Sequence, residues 1–339
     1  MRQLRIINRF LLIFLATWTM ACEEIIAPKA PEASPRAVFE HLWQDVNNRY
    51  SFFEEKQIDW ESVKQIYSPL IHENMEPDAL FDVLGEMLAE LEDGHVNLLS
   101  TFNRSRNWSW YENFPSFYDQ QLIDDVYLRT DFRIVGPLHV QTVDNMLYVN
   151  YRSFERRISQ ANMDEIIRLM QFHEGLIIDV RSNGGGSLQN AHSIASRLIE
   201  QELIYARQRF KTGPGNTDFT PWANLRITPQ SGEKYLGKVA VLTNRRSYSS
   251  TTFFAQMMKA LPQGRLFGDQ TGGGGGIPVF AELPNGWTYR FSVSQTVDLD
   301  EVQLEFGVQV DQLLTHPSDF IPGKDHFIEA AVLWLKSNP

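Results

Sequence analysis

Residues 238–276 read KVAVLTNRRSYSSTTFFAQMMKALPQGRLFGDQTGGGGG, and this stretch decides the fold. Val239, Ala240, Val241 and Leu242 form an unbroken apolar run, the pattern of a strand covered on both faces. A serine-rich turn follows, Ser247-Tyr248-Ser249-Ser250, and then Phe253, Phe254, Met257, Met258 and Leu261 recur at helical spacing. Strand, tight turn and helix make an α/β unit. A hydroxyl in that turn sits at a helix N-terminus, where unpaired N–H groups and the macrodipole favour developing negative charge. The turn is therefore a place for a nucleophile of hydrolytic chemistry.

Outward from it the same texture continues. Residues 146–151 read as a strand and 162–172 as a helix. Residues 175–180 (GLIIDV) are another strand apolar on both faces, followed by the Gly184-Gly185-Gly186 turn and a helix over 191–200. Leu266 to Gly268 is a short strand, 280–293 a hairpin around Asn285-Gly286, and 327–336 a closing helix. Upstream lie three amphipathic helices. The first starts at Ser34-Pro35 and carries Phe39, Leu42, Trp43, Val46 and Tyr50. The second starts at Asp59. The third starts near Pro77 and ends at Asp93-Gly94-His95, with Gly94 expected as the residue that closes it. The expected architecture is an α/β (α+β) core behind a small helical bundle. Residues 101–137 are aromatic and irregular (Trp108, Trp110, Tyr111, Phe114, Phe117, Tyr118) and are expected to cover or line a cleft.

The 339-residue chain is 43% hydrophobic and 22% charged, a globular composition. Its net charge of −11 argues against a nucleic-acid partner, which calls for a basic patch. The single cysteine, Cys22, leaves no disulfide framework. Arg2, Arg5 and Arg9 precede the apolar run FLLIFLATWTMA, which is shorter than the roughly 20 residues of a spanning helix and ends at Ala21-Cys22. This segment resembles a bacterial lipoprotein signal. That implies a signal over 1–22, lipidation of Cys22, a tether over 23–34, and an exported cell-envelope protein held to a membrane by a lipid anchor.

Several constellations could carry chemistry. The glycine runs at 184–186 and 272–276 fit neither a dinucleotide fingerprint nor a P-loop. They read either as surface turns or as backbone donors turned toward a cleft. Ser247, Ser249, Ser250, Thr251 and Thr252 crowd one turn, where a helix cap is an equally good reading. The eight histidines are His41, His72, His95, His139, His173, His192, His316 and His326. Spacing selects none of them, although His95 stands out by following a helix end. With no HExxH and no Cys/His cluster, neither a metal site nor a cofactor is expected.

Four segments in order resemble the C-terminal-processing peptidases and, more closely, their tricorn-core relatives. They are Leu91-Glu92-Asp93-Gly94-His95, the run from Ile177 through Asp179, Arg181 and Asn183 to Gly186, the opening stretch through Gly272-Gly273, and Leu304-Glu305-Phe306-Gly307-Val308 with Asp311. The resemblance implies a tricorn-core (ClpP/crotonase-like) peptidase domain over 146–339, a helical subdomain over 35–95 and a connecting segment over 96–145. It also implies a serine peptidase acting on a peptide or protein substrate. The nucleophile falls on Ser249. The oxyanion donors fall on Ser250 and on either Gly185 or Gly186. One branch of the family uses a lysine base, whose place here is Gly274. The other uses a histidine, matched by His95, and a glutamate, matched by Glu305, which from its own residues reads equally as a surface carboxylate. In that branch a serine precedes the histidine and relays it to the glutamate. Here Gly94 stands in that place, leaving a direct link, water or another group. The interval from His95 to Leu147 is too short for a PDZ domain with linkers, so none is expected. The alternative reading is a non-catalytic peptide- or apolar-ligand-binding protein on the same scaffold.

Overall fold

The computed structural model describes residues 33–107, 109–315 and 320–337. The signal segment, Cys22 and nearly all of the tether lie outside them, as do Trp108 and His316.

Three helices open the described chain: α1 (Pro35–Arg49), α2 (Trp60–Tyr67) and α3 (Pro77–Ala89). The first two begin where their capping residues place them. Ser34 accepts from the Ala37 N–H with Pro35 at the first position, and Asp59 accepts from the Ser62 N–H. Reciprocal indole bonds lock α1 to α2, Trp43 Nε1 to the Trp60 carbonyl and Trp60 Nε1 to the Trp43 carbonyl, both 3.1 Å. The end of α3 differs from expectation. The helix closes at Glu90, and Glu92 rather than Gly94 takes the left-handed conformation (φ 45°).

The next segment is less irregular than its sequence suggests. It contributes β1 (Asn97–Leu99), then β2 (Arg133–Val135) and β3 (Leu138–Val143). Each pairs with distant chain or with a neighbour too short to show a period, so no local pattern announces it. The core then alternates through β4 (Met146–Asn150), α4 (Gln160–Met170), β5 (Gly175–Asp179), α5 (Leu188–Ala195), β6 (Leu203–Phe210), β7 (Ala223–Ile227), β8 (Val239–Thr243), α6 (Ser250–Lys259) and β9 (Gly264–Gly268). After β9 come β10 (Pro278–Glu282), β11 (Thr288–Ser292), β12 (Ser294–Val297), β13 (Gln312–Leu313) and α7 (His326–Lys336).

The main sheet has the order β13-β9-β8-β5-β4-β3-β2 and is parallel from β13 to β4. Alternate residues of its strands feed two cores. Leu147, Val149, Leu176, Ile178, Val239 and Val241 meet α4, α5 and α6, while Met146, Tyr148, Ile177, Ala240 and Leu242 meet α7. This explains the unbroken apolar runs. The hairpin forms at Asn285-Gly286 as expected, with the Leu283 N–H bonded to the Trp287 carbonyl at 2.7 Å. It builds a second sheet, β1-β11-β10, whose Leu98, Trp287, Tyr289 and Phe291 bury against α1–α3 in a third core. The helical bundle is thus completed by strands from the last quarter of the chain.

Adjacent parallel strands β5 and β8 end side by side. The turn after β5 carries Gly184–186 and the turn after β8 carries Ser249, so the topology brings the two motifs together at the carboxyl edge of the sheet.

Candidate active site

Ser249 is the residue before α6, with φ 59° and ψ −123°. This backbone is strained for a residue with a side chain, at a cost of about 1–3 kcal/mol, and lifts the side chain out of the turn. The turn is held from both sides: the Ser249 N–H donates to the Gly273 carbonyl (2.9 Å), and the Thr252 N–H returns to Ser249 (2.8 Å).

The neighbouring hydroxyls are committed elsewhere. Ser247 Oγ donates to the Val180 carbonyl (2.8 Å), Ser250 Oγ to the Gly186 carbonyl (2.6 Å), Thr251 Oγ1 to Asn183 Oδ1 (3.0 Å) and Thr252 Oγ1 to the Gly273 carbonyl (2.7 Å). Ser249 Oγ alone among them meets a base, lying 2.9 Å from His95 Nε2.

His95 arrives on the segment after α3, 154 residues before Ser249 in the chain. Its ring packs edge-on against Tyr248, with centroids 5.0 Å apart. Its backbone N–H donates to Asp93 Oδ1 (2.7 Å), and the second Asp93 oxygen accepts from Ser292 Oγ (2.8 Å). Burial lowers the His95 pKa to about 4, against the opposing pull of Asp93; Arg290 and Lys56 lower it further. The ring is therefore neutral at pH 7. Asp93 is fully buried. Burial alone would raise its carboxyl, but Lys56, His95, the His95 N–H and the Ser292 hydroxyl hold it below its usual value.

No hydrogen bond joins Glu305 to His95 among the described residues. Glu305 Oε1 forms a buried ion pair with Lys56 Nζ at 2.9 Å, and Oε2 and the His95 Nδ1 each lack a partner among the described residues. Direct orientation of the imidazole by Glu305, one of the expected links, is not what the fold builds. The orientation comes from the backbone tie to Asp93 and the Tyr248 ring. Burial, with Asp93 nearby, outweighs the pairing to Lys56 and raises the Glu305 pKa; burial also works against the Lys56 charge, but Glu305 and Asp93 together overcome it and raise the Lys56 pKa. Lys56 Nζ also donates to the carbonyls of Glu92 (2.8 Å) and Leu91 (3.3 Å). It thereby pins the segment leading into His95 to the turn carrying Glu305. Sequence reading missed Lys56 because it lies in an ordinary charged loop, and it gave no role to Asp93 although the residue sits two places before His95.

The Gly184–186 turn faces Ser249. The Gly185 N–H is taken by Asn183 Oδ1 (3.0 Å), so this candidate is not free to donate. Gly186 is bracketed by bonds of its neighbours to Phe154, which turns its own amide toward the start of α6. The amides of Gly186 and Ser250 have no partner among the described residues, and both residues line the cavity that contains Ser249 and His95. This cavity holds about 680 Å³. The motif's charged residues are architectural. Arg181, fully buried, pairs with Asp179 (2.6 Å) and with Asp325 (2.7 Å), tying the end of β5 to the start of α7.

The second glycine run is not a surface turn but is packed inside the fold. A Cβ on Gly273 would overlap the Glu305 carbonyl, and one on Gly274 would lie 2.5 Å from the Tyr248 ring. These glycines let three loops approach closely. Tyr111, Phe114, Phe117 and Tyr118 do not line the Ser249 cavity, although Arg104 of the same segment does. Phe114 lies over Arg245 and Tyr111 over Arg246, and Phe114 borders a separate recess with Lys56 and Glu305.

Comparison with known proteins places the chain in a family. The profile of peptidase family S41 matches residues 145–314, half of the chain, and that of the tricorn protease C1 domain matches residues 31–89. The chain is 29% identical over 182 residues to the tricorn protease of Thermoplasma acidophilum, a match covering 52% of this chain but only 16% of that protein. A crystal structure from Parabacteroides merdae, of a chain named as a candidate peptidase, superposes with a TM-score of 0.84 at 40% identity, covering 90% of this chain and 98% of that one. The photosystem II D1 C-terminal processing protease shares the fold, with a TM-score of 0.57 at 16% identity over 91% and 98% of the two chains. By its sequence profile, and by a 40% identical structure matched over nearly its whole length, the chain belongs to peptidase family S41.

Proposed function

We propose that the protein is a serine peptidase of the histidine-using kind, with Ser249 as nucleophile and His95 as general base. The observation that carries this reading is the 2.9 Å contact between Ser249 Oγ and a buried imidazole that is neutral at pH 7. A serine hydroxyl becomes a competent nucleophile when such a base accepts its proton. Ser249 Oγ attacks the scissile carbonyl as His95 Nε2 takes the proton. The amides of Gly186 and Ser250 receive the oxyanion, each worth roughly 3 kcal/mol in the transition state. The imidazolium, favoured by buried Asp93, then protonates the leaving amine. Water repeats the sequence on the acyl-enzyme and releases the acid. Glu305 acts through Lys56 on the segment that carries His95. The peptide or protein substrate and the lipid-anchored, cell-envelope location belong to the same proposal, the latter resting on residues 1–22 alone.

The test is labelling by a fluorophosphonate probe across pH 5–9, with Ser249→Ala and His95→Ala as controls. Wild-type labelling abolished by Ser249→Ala supports the reading. No wild-type labelling at any pH overturns it in favour of a binding protein on the same scaffold.

A further inference from the structure

We infer that Arg104 and Arg290 form a carboxylate-binding subsite beside His95, so that the preferred substrate carries a carboxylate on the leaving-group side of the scissile bond. This deepens the peptidase reading and rests on it. Both arginines line the Ser249 cavity. Arg290 stands in β11 opposite Asn97 of β1 and Phe280 of β10. Directly opposed residues share a face of the sheet. In the amide orientation that satisfies both groups, the Asn97 side-chain oxygen accepts from Arg290 Nε and Nη2, so a neutral group fixes the guanidinium. Arg104 lies on the strand-like return that follows β1, bridged to Leu99.

Among the described residues neither guanidinium is paired with a carboxylate, although the chain carries more acids than bases. The nearest buried acid, Asp93, already accepts from the His95 N–H and Ser292 Oγ. Two cations converging on one cavity repel each other, and Arg104 indeed adds to the effect of burial in lowering the Arg290 pKa. An anion between them relieves that repulsion, and arginine presents a planar fork suited to a carboxylate.

The side of the bond follows from the chemistry. The imidazole that protonates the leaving amine must lie under the leaving half of the substrate. Arg290 is close enough to His95 to lower its pKa. Gly184–186 and Glu155, the one acid lining the cavity among the described residues, belong to the turn-bearing side around the β4 and β5 ends. The carboxylate is therefore either the free C-terminus of a peptide being trimmed or an acidic side chain just beyond the cleaved bond.

The test uses Ser249→Ala protein, which binds without turning over. Three labelled pools of randomised decapeptides lacking Asp and Glu are compared by fluorescence anisotropy: free acids, C-terminal amides, and amides with one Glu added. A carboxylate-bearing pool should bind about tenfold or more tightly than the neutral amides. The advantage should collapse when Arg290→Met or Arg104→Met is added. A preference confined to the free acids assigns the C-terminus; one confined to the Glu pool assigns a side chain. Equal binding of all pools, no binding of any, or a preference that survives both arginine substitutions overturns the subsite. Should Arg290→Met fail to fold, the exposed Arg104 carries the same comparison. Because binding is read without catalysis, a failure of the subsite is distinct from a failure of fluorophosphonate labelling in the wild type.

Discussion

Replacing Lys56 by Met tests whether the buried ion pair organises the site from a distance. The perturbation removes one cation from a place where the Lys56 and Glu305 side chains are only 9% and 3% exposed. It strands a buried Glu305 carboxylate and takes a donor from the Leu91 and Glu92 carbonyls. Breaking a buried pair from one side costs about 3–5 kcal/mol. Glu305 already has a raised pKa, so it can escape by taking a proton, and the loss should fall near the lower figure, about 3 kcal/mol. The double variant Lys56→Met/Glu305→Gln should then lose less than the two single losses summed, by about 1 kcal/mol or more. Urea denaturation of the four proteins at pH 7 measures this. A second readout separates positioning from mere stability. Lys56 lowers the His95 pKa, so its removal should move the acid limb of kcat/KM for an activated ester to higher pH. A stability loss under about 0.5 kcal/mol together with an unmoved acid limb would refute the assignment.

Three further outcomes are expected. His95→Ala should cut kcat/KM by about four orders of magnitude or more while leaving the urea midpoint close to wild type, because a base and its serine act as a unit; near-normal turnover removes His95 from the chemistry. Ser247→Ala should leave Ser249 open to the fluorophosphonate but destabilise the protein by about 1–3 kcal/mol, since the Ser247 hydroxyl joins the β8 turn to the Val180 carbonyl and serves the Asn244 N–H; loss of labelling with an unchanged midpoint would shift the nucleophile. The pH dependence of stability should carry the mark of His95. Its folded pKa of about 4 lies below the unfolded value near 6.5, so the unfolded chain binds more protons between those limits. That contribution is complete above pH 6.5 and is lost as pH falls toward 4, amounting to at most about 3 kcal/mol. Urea midpoints from pH 4 to 7 should show a shallower slope in His95→Gln, and an unchanged slope contradicts the burial of a neutral ring.

Local pattern was enough for the elements that are regular and close in sequence. Val239–Thr243 and Gly175–Asp179 announced themselves by apolar runs, because a parallel strand covered on both sides has no polar face to show. Ser34 and Asp59 announced helix starts through the oxygens that cap them. The strand–turn–helix around Ser249 was legible for the same reason, and the family register then selected Ser249 from its neighbours. The fold supplies the physical reason for that choice: the hydrogen bonds of the four hydroxyls beside it run to Val180, Gly186, Asn183 and Gly273, carbonyls and a side-chain amide brought in from other loops.

What sequence alone determined is therefore the order of helices and strands and the residue types available for chemistry. The tertiary structure decided which of them meet. His95 reaches Ser249 across a separation of 154 residues because α1–α3 dock on a hairpin contributed by Leu283, Trp287, Tyr289 and Phe291. Lys56 is recruited to Glu305 by the same docking, and the glycines at 273 and 274 take their meaning from what packs against them. Periodicity and capping act within a few residues, so they are written into neighbouring letters. Burial, charge pairing and the aim of a side chain depend on chain segments that become neighbours only after folding.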